Sequence, residues 1–262
     1  MVRTNRTFRF DEARHDWGDK QWLGRHVGAQ GQREGEFALD VLAQHPATAR
    51  HISYKLAQYF VQDNPPPALV ERLAQRYLDT RGDIASVLRT LFASPEFMAP
   101  ASMGAKFKTP YRYVISAARA GDLPVANIRP LLGTLNQLGM PLYGCQTPDG
   151  YKNTEQAWLN QDALTRRLSF ATALAAGRLS LAQARDVDGS GMGKRQLERN
   201  LERAMSRQPD STQATPTPPL EAQALLATLG SAISPGTRES ILGSAPNLRA
   251  ALVLGSPDFM RH

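Results

Sequence analysis

The sequence predicts an all-α protein that carries a short N-terminal β-ribbon and one long ordered loop. From residue 36 onward, apolar residues recur at three- and four-residue spacing, which is the period of helices that bury one face. Prolines and glycines stand at the ends of these stretches, where helices begin and stop. No alternation of strands and helices predicts a parallel sheet.

The composition is that of a folded basic protein. The chain has 262 residues, of which 42% are hydrophobic and 21% charged, so wholesale disorder is not expected. Its formal net charge of +7 permits contact with nucleic acid or an anionic membrane surface and establishes neither. The single cysteine, Cys145, excludes an internal disulfide and a cysteine-based zinc site.

Neither a transmembrane segment nor a secretory signal is predicted. No apolar run approaches the roughly 18–20 residues that cross a bilayer. Residues 1–20 have no apolar stretch after their arginines. The composition fits the cytoplasm and fits an exported protein without disulfides, so the compartment stays open.

Residues 1–35 predict an irregular arm with a two-stranded ribbon. The stretches "RTFRF" and "QWLGRHV" alternate polar and apolar residues, and the turn-forming "DWGDK" lies between them.

Residues 36–178 predict a helical core, beginning with a short helix in "EFALDVLAQ". Pro46 suits a first helical position, and Asp83 suits an N-cap behind Gly82. The next three helices are expected to turn these residues inward: Ala49, Ile52, Leu56, Tyr59 and Phe60; Leu69, Val70, Leu73, Ala74, Tyr77 and Leu78; Ile84, Val87, Leu88, Leu91 and Phe92.

The motif Ser-Pro-acid-Phe-Met occurs twice, at residues 94–98 and 256–260, each time after an apolar run. Serine is a good N-cap, proline suits the first helical position, and an acid there faces the positive end of the helix dipole. We therefore predict that each copy stops a helix and adds a one-turn lid, whose phenylalanine folds back toward the apolar face.

Further helices are predicted at "KTPYRYVISAARAG", capped by Thr109, and near Pro130. Another is predicted after Asn160, with Leu164, Leu168 and Ala171 inward. The stretch "MPLYGCQTPDGYKNTEQAW" has no period and predicts the long loop, and loops of this length are often functional.

The remaining divisions are a basic helix with a flexible linker at 179–219 and helices at 220–262 that dock on the core. Arg195, Arg199, Arg203 and Arg207 stand four residues apart, beside Glu198 and Glu202. We favour a solvated face with partial charge compensation over a stripe that binds phosphates, so nucleic acid is not the expected partner.

Two turns hold the candidate chemistry. "RHDWGDK" offers His15, Asp16 and Lys20 around a glycine, and a His-Asp pair can act as a base with its orienting carboxylate or supply metal ligands. "TPDGY" offers Asp149 and Tyr151 in the long loop. The structural alternative for the first turn is aspartate caps with Trp17 and Trp22 packed beneath. Neither the substrate nor a cofactor is indicated, since no phosphate-binding, dinucleotide-binding or zincin motif occurs.

Collinear stretches give the chain a resemblance to a bacterial family, the domain of unknown function 1800 family. "TFRFDEARHDWGDKQWLG" resembles its His-Asp-x-Gly-x-Lys segment, and "LAQHPATARHISYKLAQYFVQDNPPPALVERLA" resembles its His-Pro-x-Thr-Ala stretch. "LRTLFASPEF", "KFKTPYRYVISAARA" and the terminal "LVLGSPDFMRH" follow in the family's order. The loop "CQTPDGYKNTEQAW" departs from the Pro-Pro-Asn-Val-x-Gly-Trp of many relatives.

The resemblance covers the C-terminal half of typical, longer members. It implies export in many members and a companion protein with a sulfatase-like fold.

Three functions follow as alternatives. The first is a structural or interaction module of the envelope. The second is half of a metal-dependent enzyme, whose site joins residues 15–20 and 147–151, with His15 and Asp16 as metal ligands. The third is a basic nucleic-acid-binding module acting through residues 195–207.

Overall fold

The computed structural model describes residues 8–179, 181–182 and 217–262. The chain forms two compact units, residues 1–99 and residues 100–262. The described residues are mostly helical, as predicted, with a single two-stranded antiparallel sheet among them. The predicted line of arginines at residues 195–207 lies outside the described residues.

The ribbon is present, but its strands are not the predicted pair. β1 (Lys20–Trp22) pairs antiparallel with β2 (Arg25–Val27), so both strands come from within "KQWLGRHV". The connection consists of Leu23 and Gly24, both with positive φ, and such two-residue loops match the twist of a hairpin. The described part of "RTFRF", residues 8–10, is not a strand.

In the first unit, four helices follow the ribbon and a one-turn helix ends the unit. They are α1 (Gln32–Ala43), α2 (Pro46–Phe60), α3 (Pro67–Asp79), α4 (Ile84–Phe92) and α5 (Pro95–Met98). The N-cap predicted at Asp83 is present, and His45 caps α2 in the same way, since each side chain accepts a backbone N–H of the next turn. The buried core consists of Ala49, Ala57, Val61, Leu69, Val70, Leu73, Ala74, Tyr77, Val87 and Leu91.

The predicted inward face of α2 is wrong in its aromatic part. The helix buries small side chains at four-residue spacing, namely Ala49, Ser53 and Ala57, against its neighbours. Small residues let helices approach closely, so the bulky Tyr59 and Phe60 lie at the edge of the contact. Together with Phe92 of α4, they are 37–43% exposed. Ile84, also predicted inward, is exposed as well.

The second unit holds seven α-helices among its described residues. They are α6 (Pro110–Ala120), α7 (Arg129–Gln137), α8 (Glu155–Trp158), α9 (Gln161–Ala175), α10 (Ala222–Leu229), α11 (Pro235–Leu242) and α12 (Pro246–Gly255). Thr109 and Asn160 cap α6 and α9 as predicted. Residues from α6, α7, α9, α10 and α12 share one apolar core, and α9 packs along α12.

Leu168 was predicted inward on α9 and is 48% exposed. The buried face of this helix is turned by one residue and contains Arg167, Phe170, Ala171 and Leu174. Leu168 lies at the edge over Gly255, where an added Cβ would stand 2.7 Å from its Cδ2. Gly255 therefore allows the end of α12 to approach α9 closely.

The repeated motif stops a helix and adds one turn at both places, as predicted; the added turn is α-helical at residues 95–98 and a hydrogen-bonded turn at residues 257–260. We name residues 94–98 the first lid and residues 256–260 the C-terminal lid. In each, the serine Oγ accepts the phenylalanine N–H, at 3.3 Å from Phe97 and 3.1 Å from Phe259. The same hydroxyl donates to a carbonyl of the preceding helix, at 2.6 Å in the first lid and 2.8 Å in the C-terminal lid.

The acid of each lid ties it to a neighbouring helix. Glu96 bonds Arg72 of α3 at 2.7 Å. Asp258 accepts the backbone N–H of Ser234, the N-cap of α11, at 2.9 Å and its hydroxyl at 2.7 Å. Each lid therefore joins three elements through one serine and one acid.

In the described parts of the chain, no helix is long and apolar enough to cross a membrane. The four-part division at residues 35, 178 and 219 stays a prediction beside this division into two units.

We predict that Ser94→Ala and Ser256→Ala each lower the free energy of unfolding by about 1–2 kcal/mol, because each removes a hydroxyl that accepts the phenylalanine N–H at the start of the lid. The measurement is urea unfolding followed by circular dichroism. Ser240→Ala is the matched control, since its exposed hydroxyl bonds only a carbonyl inside α11. A loss of equal size in the control would contradict the capping role.

Candidate functional site

The first candidate turn is organised by a glutamate that sequence reasoning did not select. Glu34 is buried in the first turn of α1. One carboxylate oxygen lies 3.0 Å from Nε2 of His15, and the other lies 2.9 Å from Nζ of Lys20. The first oxygen also accepts the backbone N–H groups of Gln30 and Gly31, at 2.7 and 3.0 Å. The bonds from Lys20, Gln30 and His15 lower the pKa of Glu34 to about 2.

His15 and Lys20 therefore meet on Glu34, and Asp16 serves the turn itself. The Oδ1 of Asp16 accepts the N–H of Gly18 at 2.9 Å, and Lys20 donates to the carbonyls of Asp16 and Gly18. The His15 ring makes edge contacts with Phe10 and Trp17, at 5.1 and 4.9 Å between centroids. This arrangement fastens the arm to the start of α1.

The glycine before α1 allows this packing. Gly31 has φ of +62°, and an added Cβ would stand 3.2 Å from Trp17 and 3.3 Å from Phe10. Trp17 packs over Gly31 rather than beneath the turn, and half of its surface is exposed.

The second candidate turn is held by local bonds within the long loop. Asp149 bonds Lys152 at 2.5 Å, and this bond together with one from Thr147 lowers the pKa of Asp149 to about 2. The hydroxyl of Tyr151 donates to the carbonyl of Pro141 at 2.8 Å. The Trp158 indole donates to the carbonyl of Lys152 at 2.7 Å, which closes the loop.

The two turns belong to different compact units, and each is organised by contacts of its own unit. Over residues 8–179, 181–182 and 217–262, no group of three or more His, Cys, Asp and Glu side chains is placed to hold a metal ion. The assignment of His15, Asp16, Lys20, Asp149 and Tyr151 to a site remains a prediction.

The second unit contains a buried cationic cluster, which sequence reasoning also missed. Arg167 is fully buried, and its Nη2 donates to the carbonyl of Lys108 at 2.7 Å. Its guanidinium lies over the rings of Phe107 and Tyr113, at 4.5 and 4.9 Å from the centroids. Its Nε and Nη1 have no hydrogen-bond partner among the described residues, so the two aromatic faces add to the single bond from Nη2 in stabilising the charge.

Lys108 joins this cluster to the C-terminal lid. Its Nζ donates to the carbonyl of Phe259 at 2.6 Å and lies 3.9 Å from the centre of the Phe259 ring. Burial, and then the charge of Arg167, lower the pKa of Lys108 to about 8. Lys106, also buried, donates to the carbonyl of Asn153 at 2.6 Å. These three cations are therefore anchored on backbone carbonyls.

Weak signals for these residues exist in the sequence. Glu34 stands three residues after Gly31, where an acid can accept the N–H of the helix cap. "KFKTP" places lysines on both sides of an aromatic residue just before the Thr109 cap. Arg167 lies on the buried face of α9. The prediction placed Leu168 on that face instead, so Arg167 was not recognised as a buried charge.

We predict that Glu34→Gln frees residues 8–31 from α1, because it removes the charge that binds Lys20 and His15. The folded pKa lies below the ordinary 4.5, so the arm is held above pH 4.5 and released as the pH falls toward 2. Hydrogen exchange of the arm between pH 2 and 5 measures this release. The variant should show fast exchange at every pH, whereas Glu36→Gln, which alters an exposed bond to Gln32, should follow the wild type.

We predict that wild-type stability rises with pH above 8 through Lys108. Its folded pKa of about 8 lies below the ordinary 10.5, so the unfolded chain binds more protons between these values. The free energy of unfolding therefore increases across this window, by at most about 3 kcal/mol, and has no such slope below pH 8.

Urea unfolding between pH 8 and 10 measures this slope, which Lys108→Met should abolish. Lys55→Met, at an exposed lysine, should keep it. A slope that survives in Lys108→Met would assign the effect to another group.

Comparison with known proteins gives one match. The family described as "Protein of unknown function (DUF1800)" matches residues 2–261. No curated protein and no solved structure matches the chain. This nearly full-length match agrees with the resemblance that the order of the quoted motifs gives. The chain belongs to the DUF1800 family of proteins of unknown function.

Proposed function

We propose that the chain is a non-catalytic helical module that binds a partner protein in the bacterial envelope. The observation that carries the proposal is a partly exposed row of aromatic rings on the first unit. Placement in the envelope, and a companion with a sulfatase-like fold as the partner, rest on the family resemblance.

The row begins on α2 and ends at the first lid. Ring centroids lie 4.8 Å apart for Tyr59 and Phe60, 5.1 Å for Phe60 and Phe92, and 5.1 Å for Phe92 and Phe97. Met98 follows Phe97 in the chain and is 71% exposed. We name these five residues the aromatic surface.

Its chemistry is that of a protein-binding surface. Aromatic residues and methionine are enriched where proteins bind one another, and contiguous exposed apolar patches mark such sites. The edge contacts hold the rings in place before a partner arrives, so little side-chain entropy is lost on binding. Phe97 packs against the core of the first unit, and the other four residues of the aromatic surface lie outside that core.

The alternative is half of a metal-dependent enzyme. Its candidate site residues already form hydrogen bonds and ion pairs that stabilise the two turns. His15 is bonded to Glu34, and Asp149 is bonded to Lys152. A metal or a substrate at either turn would have to replace these bonds. The basic nucleic-acid-binding alternative rests on residues 195–207, which lie outside the described residues. Three of the basic residues, Lys106, Lys108 and Arg167, are buried and do not face a nucleic acid.

We predict that the photo-crosslinking residue p-benzoylphenylalanine, placed at Phe92, captures one partner protein in living cells. Illumination should give a single adduct, and mass spectrometry should identify a sulfatase-fold protein in it. The same residue at Leu39, which is 67% exposed on α1, is the matched control and should give no adduct. Absence of an adduct at Phe92, or the same adducts at both positions, would contradict the proposal.

A further inference from the structure

The two lids share three hydrogen bonds, although the first lid is a one-turn α-helix and residues 257–260 of the C-terminal lid form a hydrogen-bonded turn. In both, the methionine N–H bonds the serine carbonyl, at 3.3 Å between Met98 and Ser94 and 3.2 Å between Met260 and Ser256. The serine hydroxyl makes the same pair of bonds in each. The carbonyls of Phe97 and Met98 therefore hold the same places in this hydrogen-bond pattern as those of Phe259 and Met260 in the C-terminal lid.

An extended segment, residues 106–108, covers the C-terminal lid. The backbone N–H of Lys108 donates to the carbonyl of Met260 at 2.7 Å, and its Nζ donates to the carbonyl of Phe259 at 2.6 Å. The same Nζ lies over the Phe259 ring, and Phe107 forms a β-bridge with Arg261. Phe259 and Met260 are buried, with Met260 only 5% exposed.

The first lid presents the same groups without such a cover. No donor among the described residues bonds the carbonyl of Phe97 or Met98. Phe97 is partly buried, Met98 is 71% exposed, and the Phe97 ring continues into the aromatic surface. Two carbonyls and an aromatic ring bind a lysine in the C-terminal lid, and their counterparts in the first lid have no such partner among the described residues.

We propose that the first lid binds an extended segment of the partner protein in which a lysine follows an aromatic residue. This proposal rests on the proposed function and names the chemistry of its partner. The lysine N–H bonds the carbonyl of Met98, its Nζ bonds the carbonyl of Phe97, and its charge lies over the Phe97 ring. The preceding aromatic residue packs along Phe92.

The register is restricted by the chain that follows the first lid, where Pro100–Ser102 form a 3₁₀ turn, whereas Arg261 after the C-terminal lid lies in a β-bridge. In the C-terminal lid, the N–H of His262 also donates to the carbonyl of Lys106, at 3.0 Å. Pro100 stands at the corresponding place after the first lid and has no N–H. The bound segment is therefore held by its lysine. The carbonyl of the residue before the aromatic residue receives no backbone hydrogen bond from position 100.

The chain supplies a probe for this site. A fluorescein-labelled peptide of residues 104–110, Gly-Ala-Lys-Phe-Lys-Thr-Pro, should bind the full chain with a saturable change in anisotropy. The same peptide with norleucine in place of Lys108 should bind at least about tenfold more weakly, since it loses the bond to the carbonyl and the charge over the ring. A photo-crosslinking version at Phe107 should label residues 59–60 or 92–98.

Variants of the full chain locate the binding. Met98→Lys should weaken peptide binding at least about tenfold, because it places a like charge beside the bound lysine. Met103→Lys, at a methionine that is 81% exposed and outside both lids, is the matched control and should leave binding unchanged. Circular dichroism verifies that both variants are folded.

Absence of saturable binding would overturn the proposal, as would crosslinks confined to residues 256–262 or equal effects of the two variants. The outcome separates this proposal from the proposed function. If p-benzoylphenylalanine at Phe92 still captures a partner while the peptide does not bind, the proposed function is retained and the proposal of a lysine-bearing segment is wrong.

Discussion

One serine hydroxyl at the end of each compact unit holds the last helix and the closing turn together. A helix leaves its last carbonyls without partners, and the turn that follows leaves its first N–H groups without partners. The hydroxyls of Ser94 and Ser256 satisfy one group of each kind at the same time. Each phenylalanine is thereby fixed against the apolar side of its unit, and an acid two residues after the serine fastens the turn to another helix.

The two units use this structure differently. The second unit covers its lid with a segment that carries two lysines, and it anchors three buried cations on carbonyls and aromatic rings. Burying a cation is costly unless it is well bonded, and carbonyl oxygens and ring faces supply that stabilisation here. Part of the basic excess of the chain thus serves the interior of the fold. The first unit leaves its lid and the neighbouring aromatic rings at the surface.

The features that sequence predicted well depend on a few neighbouring residues. Caps at Asp83, Thr109 and Asn160, and the paired lids, follow from hydrogen bonds within one turn of helix. The stripe of α3 was also predictable because its apolar residues are large and regularly spaced. The hairpin was misplaced because a leucine with positive φ at its tip is an unusual choice for such a turn.

The features that sequence missed depend on contacts between distant segments. Small residues, not aromatics, form the buried face of α2, and only the packing of neighbouring helices decides that. Arg167 interrupts an apolar stripe, so periodicity favoured Leu168 in its place. Glu34 and Lys108 gain their roles from partners up to 151 residues away in the chain, which spacing does not reveal.

The most direct measurement of the central claim compares the two lid methionines within one protein. Mild hydrogen peroxide oxidises methionine at a rate that follows its exposure, and peptide mass spectrometry gives the rate at each position. An exposed first lid and a covered C-terminal lid predict that Met98 oxidises several times faster than Met260. Equal rates, or faster oxidation of Met260, would contradict the account.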